Sequence, residues 1–395
     1  MTELPSSYIT AFLRDHAQEN VQQLALQRNR YPHLSDADFR FLLQQIEGRQ
    51  RTRDKLPAMA QIDSWWYPVR LSCEQCSSEA TARYKASLLD DDLPNVLIDL
   101  TGGYGVDTFF LSEKIPQAHY VERNAELCAI AQHNFSLASP QIQVHNTTAE
   151  EFLASLPFAS SPRRLIYLDP ARRSQSGGKV FRIEDCEPNI IDLLPTLRAV
   201  AQRILIKFSP MLDITAALRA LGDGWDTHVV AVGNEVKEVL FFTGHGTIQA
   251  VNILPTHTDR FLFTEAEEKA TMPVFATQLK QYLYEPNAAI IKAGAFRLIC
   301  QRFAGLEKLD MNTHLYTSDQ LLPDFPGRVW QVIDPHVKDP KSLVLNPNTK
   351  FSILSRNYPL TPEQMRKKYK LPDGNDFYLI GARLASKPTL ILCTR

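Results

Sequence analysis

The segment VLIDLTGGYGVDT, residues 96–108, decides how this chain is read. Its apolar half has the character of a strand that ends at Asp99, Gly103 and Gly105 make a turn, and a helix starts near Asp107. Glycines let the backbone run close to a ligand, and the helix start that follows offers free N–H groups. Asp99, four residues before Gly103, supplies a carboxylate suited to the ammonium of an amino-acid moiety. A nicotinamide dinucleotide site favours G-x-G-x-x-G instead, and here the third position is Thr108. Asp99, Thr101, Gly103 and Gly105 are therefore candidates to hold a nucleoside bearing an amino acid, and S-adenosylmethionine is the cofactor that fits that description.

The pattern repeats outward from this turn. Short apolar strands at Val96–Leu100, Ala118–Val121, Ile142–Val144, Leu165–Leu168 and Ile204–Phe208 alternate with helical periodicity, the signature of βαβ units and a parallel sheet. Asp226–Val232 and Val236–Thr243 follow, joined by Gly233-Asn234, which is hairpin chemistry. Five parallel strands and a terminal hairpin give the strand order of a Rossmann-like class I methyltransferase sheet, so the fold class is α/β with this domain over 93–245.

Strand ends carry the chemistry in such sheets. Glu122 closes the second strand 19 residues after Gly103, the spacing at which an acid meets ribose hydroxyls, and Arg123 stands beside it. Thr148-Ala149 follows the third strand and is placed to border an adenine. The fourth strand ends in Asp169-Pro170-Ala171-Arg172-Arg173. In amino-methylating enzymes of nucleic acids, an Asp or Asn before Pro-Pro-aromatic accepts the hydrogens of an amine on its carboxylate and a backbone carbonyl. Asp169 and Pro170 can do the same, with Arg172 stacking on a base or gripping phosphate in place of the missing aromatic ring. Arg173, and Lys179 in the Gly-rich stretch from Ser174, are candidate RNA contacts. Lys207-Phe208-Ser209-Pro210 ends the fifth strand at the same edge and offers a cation or a ring.

Flanking regions have other rhythms. Residues 1–92 read as a helical region, with stretches Ala11 to Gln27 and Asp36 to Arg53, and with Ser72 and Gln75 spaced as a capping box that opens a helix through Leu89. Residues 246–279 read as a connector around Pro255, and Pro286 to Ala304 as one helix. Arg328 to Ile333 restarts strand character. Thr361-Pro362-Glu363-Gln364 combines an N-cap, a proline in the first turn and a capping-box glutamine, which predicts a helix through Lys370. Strands Phe377–Ala382 and Thr389–Cys393 around a Ser386-Lys387-Pro388 turn end the pattern.

Composition bounds the function classes. Hydrophobic residues make 44% and charged residues 22% of 395, so the chain has material for more than one packed core. No apolar run reaches the roughly 20 residues of a membrane helix, and MTELPSSYIT lacks a basic-then-apolar leader, so a cytoplasmic location is expected. Six scattered cysteines fit reduced thiols. Cys73 and Cys76 lack a second pair for zinc, no H-x-E, H-E-x-x-H or G-x-S-x-G spacing occurs, and metal and acyl-transfer chemistry have no support. The net charge of -1 hides an asymmetry: residues 271–395 carry 17 Lys+Arg against 10 Asp+Glu. A basic terminal third suits an anionic partner, although solvated basic faces are common.

Together, LSCEQCSSEATARYKA (71–86), DLTGGYGVD (99–107), YLDPARR (167–173) and LTPEQMRKKYKL (360–371) resemble the bacterial class I S-adenosylmethionine-dependent methyltransferases with a C-terminal THUMP-like domain. The resemblance spans residues 71–395. It implies a ferredoxin-like segment over 280–323 and a THUMP-like region over 324–395, a pairing associated with RNA, especially tRNA. Arg366, Lys367, Lys368 and Lys370 on the basic tail helix are then candidate RNA contacts. The expected activity is methylation of an RNA base. The alternatives are an RNA-binding protein that has lost catalysis and a methyltransferase of a small molecule or protein.

Overall fold

The computed structural model describes residues 4–89, 93–156, 163–172, 183–343 and 349–395. The chain forms two units, one of residues 1–225 with 237–245, the other of residues 226–236 with 246–395. Arg173 and Lys179 lie outside the described residues, as does the side chain of Arg172.

The first unit is built on strands β1 (Val96–Asp99), β2 (Gln117–Val121), β3 (Ile142–His145), β4 (Arg164–Leu168) and β5 (Arg203–Phe208), all parallel, in the spatial order β5-β4-β1-β2-β3. β1 and β4 are buried along their whole length, which is why their sequences run apolar without alternation. Registers align the strand ends, with Asp99 opposite Tyr120 on β2 and Tyr167 on β4. Ile98, Ile166, Ile206 and Phe208 form a core with Leu197 and Val200 of helix Ile190–Val200. Helices Ala125–Ala138 and Ala149–Ser155 are capped by Asn124 and Thr148, each helix start following directly on a strand end.

The N-terminal region is helical, but in shorter pieces than its periodicity predicts. The stretch from Ala11 to Gln27 breaks into Ser6–Asp15 and Val21–Ala25, because Asn20 accepts the N–H groups of Gln22 and Gln23 and starts a new helix. Likewise Ser72 does not cap a helix through Leu89: it lies inside Arg70–Gln75, and Ser78 caps Glu79–Ser87 through the Thr81 N–H. Trp65 Nε1 donates to the Tyr104 hydroxyl at 2.9 Å, and that hydroxyl donates to the Trp66 carbonyl. These bonds tie the helical region to the glycine turn.

Two further strands, β6 (Trp225–Val232) and β7 (Glu235–Thr243), flank Gly233-Asn234. Both turn residues have positive φ (58° and 68°), as a type I′ turn requires. From Lys237, β7 lies antiparallel to β5 in the first unit, pairing Lys207 with Leu240.

In the second unit, the stretch that reads as a connector is ordered: β8 (Thr247–Ile253) runs parallel to β6 and antiparallel to β9 (Thr258–Thr264), and Thr264 opens helix Glu265–Ala270 with a full capping box. Pro255, a linker signal by composition, sits in the turn between β8 and β9. A seven-stranded sheet follows, made of β10 (Tyr282–Pro286), β11 (Glu307–Asp310), β12 (Thr313–Ser318), β13 (Gly327–Asp334), β14 (Phe351–Ser355), β15 (Phe377–Leu384) and β16 (Lys387–Thr394), in the order β11-β12-β10-β13-β16-β15-β14. The single helix expected from Pro286 to Ala304 is two, Ala288–Ala293 and Leu298–Arg302, because Gly294 ends the first with φ 86°. The last hairpin turns at Ala385-Ser386, one residue earlier than its sequence suggests, and leaves Lys387 and Pro388 in β16.

Helix Pro362–Tyr369 has the expected capping box, with Gln364 N–H donating to Thr361 Oγ1 and Thr361 N–H donating to Gln364 Oε1. Arg366 departs from its assignment as an RNA contact. Its guanidinium donates to the Phe351 and Leu371 carbonyls, both at 3.2 Å, and pairs with Asp373 at 2.7 Å. Lys367, Lys368 and Lys370 remain exposed. Arg366→Ala is therefore expected to lower stability by about 1 kcal/mol, the scale of a lost hydrogen-bonding group, while Lys368→Ala changes it by a few tenths. Urea denaturation of the two variants checks this, and equal midpoints would return Arg366 to the surface set.

Candidate functional site

A cleft of about 940 Å³ opens at the C-terminal ends of β1, β2, β4 and β5. Its floor is the turn 100–105. A Cβ on Gly102 would lie 2.2 Å from the Tyr120 ring, and one on Gly105 would lie 2.7 Å from Phe135 on a residue already at φ 84°. The turn thus tolerates no side chain at these two places. Tyr120 OH donates to the Gly103 carbonyl at 2.6 Å and fixes its height over the sheet.

Glu122 is half-buried at the end of β2, where Oε2 accepts the Gly103 N–H at 2.9 Å and Oε1 accepts the Asn124 N–H at 2.8 Å. A carboxylate has about four acceptor sites, so these two bonds orient Glu122 and leave capacity for a ligand's hydroxyls. Asp99 is placed differently from the role its spacing suggested. It is 1% exposed, and its two oxygens accept the Thr101 N–H at 2.9 Å and the Thr108 hydroxyl at 2.5 Å. Burial pushes its carboxyl up to about 7 against those two hydrogen bonds. Asp99 is turned onto the loop it anchors. Thr108, the residue that departs from the dinucleotide pattern, is one of its anchors.

Thr148 and Ala149 line the opposite wall, with the Thr148 hydroxyl accepting the Glu151 N–H as a helix cap. Arg123 is exposed and pairs with Glu187 at 2.5 Å. Asp169 donates its N–H to Thr101 Oγ1 at 2.6 Å, which joins the end of β4 to the glycine turn. Pro170 is buried beside it, and Ala171 and Arg172 pair with Cys186 and Glu187 in a two-residue ladder. Asp99, Thr101, Gly103, Gly105, Glu122, Arg123, Thr148, Ala149, Asp169 and Pro170 therefore gather around one cleft.

Lys207, expected at this edge as a cation, donates from Nζ to Asp169 Oδ2. Sequence reasoning missed what lies behind the pair. Lys85 is fully buried and donates to both oxygens of Glu238 at 2.7 Å, with Asp107 Oδ1 at 3.2 Å. Asp107 Oδ2 also accepts the hydroxyls of Ser77 at 2.7 Å and Tyr167 at 2.6 Å. Burial alone would raise Asp107, but Lys85, Lys207 and the two hydroxyls bring it below the usual carboxylate range. Glu238 goes the other way, because its burial outweighs Lys85 and Lys207. Burial also opposes the Lys207 ammonium, yet Asp169, Asp107 and Glu238 together hold it above the usual lysine range. The available signal was Glu238 itself, an acid inside the apolar run of β7. A buried charge requires a partner, and Lys85 is the partner.

Among the described residues no group of three His, Cys, Asp or Glu side chains could hold a metal ion, and no helix is long and apolar enough to cross a membrane.

Comparison with known proteins places this chain in a family. Residues 282–326 match a ferredoxin-like domain model and residues 327–395 a THUMP domain-like model. No functionally curated protein matches the chain in sequence. The chain is similar to a crystal structure titled "putative methyltransferase" from Porphyromonas gingivalis W83, at 32% identity over 100% of this chain and 98% of that one, with a TM-score of 0.84. More distant likenesses include a methyltransferase from Geobacter sulfurreducens (13% identity, 42% of this chain and 78% of that one, TM-score 0.31) and the O-methyltransferase TomG from Streptomyces achromogenes in complex with SAM (10% identity, 51% and 88%, TM-score 0.35). With full-length likeness to the Porphyromonas protein, a parallel sheet carrying its cleft at the strand ends, and the two domain matches later in the sequence, the chain belongs to the class I methyltransferase family with a C-terminal THUMP-like domain.

Proposed function

We propose that this protein transfers a methyl group from S-adenosylmethionine to RNA. The observation that carries the reading is the pairing, in one cleft, of a glycine turn held by Glu122 with the Asp169-Pro170 edge, joined through the Thr101 hydroxyl. The donor set fits the cofactor: Glu122 retains acceptor capacity for ribose hydroxyls, the turn is closed to side chains at Gly102 and Gly105, and Thr148-Ala149 supply a wall for the adenine. When bound, S-adenosylmethionine supplies an electrophilic methyl group on a sulfonium. Asp99 acts at one remove, orienting Thr101, while Asp169 and Pro170 shape the acceptor side. Arg123 flanks the ribose end.

RNA as the acceptor rests on the THUMP-like match at 327–395 and on the basic tail. Lys367, Lys368 and Lys370 are free to meet phosphate because Arg366 supports the fold in their place. Phosphate contacts of this kind give affinity without sequence information. A methyl group can reach a base inside a helix only after that base is displaced from the stack.

S-adenosylmethionine and S-adenosylhomocysteine are expected to raise the melting temperature and NAD is not, since a ligand that binds only the native state stabilises it; equal shifts with NAD refute the cofactor. Glu122→Ala weakens S-adenosylhomocysteine binding by about 1–3 kcal/mol in calorimetry, the range for charge-assisted hydrogen bonds, whereas an unchanged Kd in a folded variant makes Glu122 a prop for the turn alone. Replacing Lys367, Lys368 and Lys370 together with Gln reduces tRNA affinity and flattens its dependence on salt, by about 0.7–0.9 in the log–log slope for each phosphate that is no longer neutralised. If affinity and slope stay at wild-type values, the tail helix is only a solvated face.

A further inference from the structure

The acceptor side of the cleft is more specific than an Asp-Pro edge. Two ionisable groups meet there, Asp169 and Lys207, and they are bonded to each other. Behind them the chain of Asp107, Tyr167, Ser77, Lys85 and Glu238 is buried and hydrogen-bonded end to end. This arrangement is poorly matched to an amine acceptor. An amine nitrogen gains positive charge as it takes a methyl group, and a neighbouring ammonium opposes that. One oxygen of Asp169 is already engaged by Lys207, and the sequence has Arg172 at the position of the aromatic residue in the amino-methylating pattern.

A hydroxyl acceptor has the opposite needs. It must lose its proton, its oxygen carries growing negative character as it does so, and a fixed ammonium beside it lowers the barrier. We propose that Lys207 and Asp169 form an acceptor centre for a hydroxyl group and, resting on the reading of RNA as substrate, that the methylated atom is a ribose 2′-oxygen. The hydroxyl oxygen forms the new bond to the methyl carbon while the carbon–sulfur bond breaks and its electron pair stays on sulfur, leaving a neutral thioether. The hydroxyl proton passes to the Asp169 carboxylate, and Lys207 keeps its protons and donates a hydrogen bond to the reacting oxygen. Lys85, Asp107 and Glu238 are positioning residues. They touch no substrate: the carboxylates of Asp107 and Glu238 favour the Lys207 ammonium, and Lys85 holds those two carboxylates in place.

This choice explains two departures from the amino-methylating pattern at once. Ribose offers no flat face, so the edge requires no aromatic ring after Pro170. Nor does a ribose acceptor depend on the identity of the base, which suits a surface that grips phosphates.

The test is the position of the methyl group. Full-length protein is incubated with labelled S-adenosylmethionine and total RNA from a strain lacking the gene, and the product is digested to nucleosides for mass spectrometry. A parallel sample is hydrolysed in alkali, which cleaves every linkage except those with a methylated 2′-oxygen. Label in 2′-O-methyl nucleosides and in alkali-resistant dinucleotides is expected. Label on a base overturns the hydroxyl centre and leaves RNA methylation standing; no label in RNA from a protein that binds the cofactor overturns both. A binding measurement isolates Lys207. With S-adenosylhomocysteine present, a mixed-sequence oligoribonucleotide is expected to bind several-fold more tightly than its deoxy counterpart, and Lys207→Met is expected to narrow that ratio without altering S-adenosylhomocysteine affinity. A ratio that Lys207→Met leaves unchanged assigns Lys207 to the fold alone. Glu238→Gln is expected to lower kcat with KM for RNA unchanged, whereas a loss of thermal stability at full kcat removes Glu238 from the positioning set.

Discussion

Lys85 has no exposed surface, and the first unit depends on how its charge is answered. An ammonium left unpaired in the interior costs several kcal/mol, so the position is tenable only because both oxygens of Glu238 and one of Asp107 surround it. Each of those partners belongs to a different part of the unit. Lys85 comes from the last helix before the sheet, Asp107 from the helix that follows the glycine turn, and Glu238 from β7. Removing Lys85 leaves Glu238 without its hydrogen-bond donor and Asp107 without its cation, so the three elements are joined through that one ammonium. Tyr167 extends the lock to β4 through its hydroxyl on Asp107.

From that lock the cleft inherits its shape. Asp107 lies in the first turn of the helix whose start faces the cleft, and Thr108 next to it holds Asp99, which in turn holds Thr101. Thr101 accepts the Asp169 N–H, so a continuous path of hydrogen bonds runs from the glycine turn to the acceptor edge. The wall by Glu122 and the edge at Asp169 are thus joined through the turn between them. In the proposed reaction, pre-positioning of this kind would favour transfer between two bound partners.

Local chemistry was legible in the sequence, and long-range chemistry was not. The glycine turn, the acid at Glu122, the alternation of strands and helices, and the Thr361 capping box depend on residues a few positions apart, and each stands where its spacing put it. Ser72 and Ser78 show the limit of that method. Both precede apolar helical pattern, and only the backbone geometry decides that Ser78 is the cap. The strands β8 and β9 escaped because Pro255 and the charged residues around it resemble a linker, while the alternation within each strand is only seven residues long. Arg366 resembled its lysine neighbours by charge alone, yet a planar guanidinium can hold two carbonyls and a carboxylate at once, and in this helix it does. Lys85 and Glu238 are 153 positions apart, and no motif joins them.

The same buried charges also set the field of the cleft. Asp107, Asp169 and Glu238 face Lys85 and Lys207, which leaves one carboxylate in excess before Asp99 and Glu122 are considered. A cleft walled by low-dielectric core strengthens that imbalance, and the helix start at Val106 offsets it only within its first turn. A ligand carrying positive charge gains from entering such a site, and its gain falls as the charge is lost. A sulfonium donor that becomes a neutral thioether would have just this asymmetry. Product would then leave more readily than substrate.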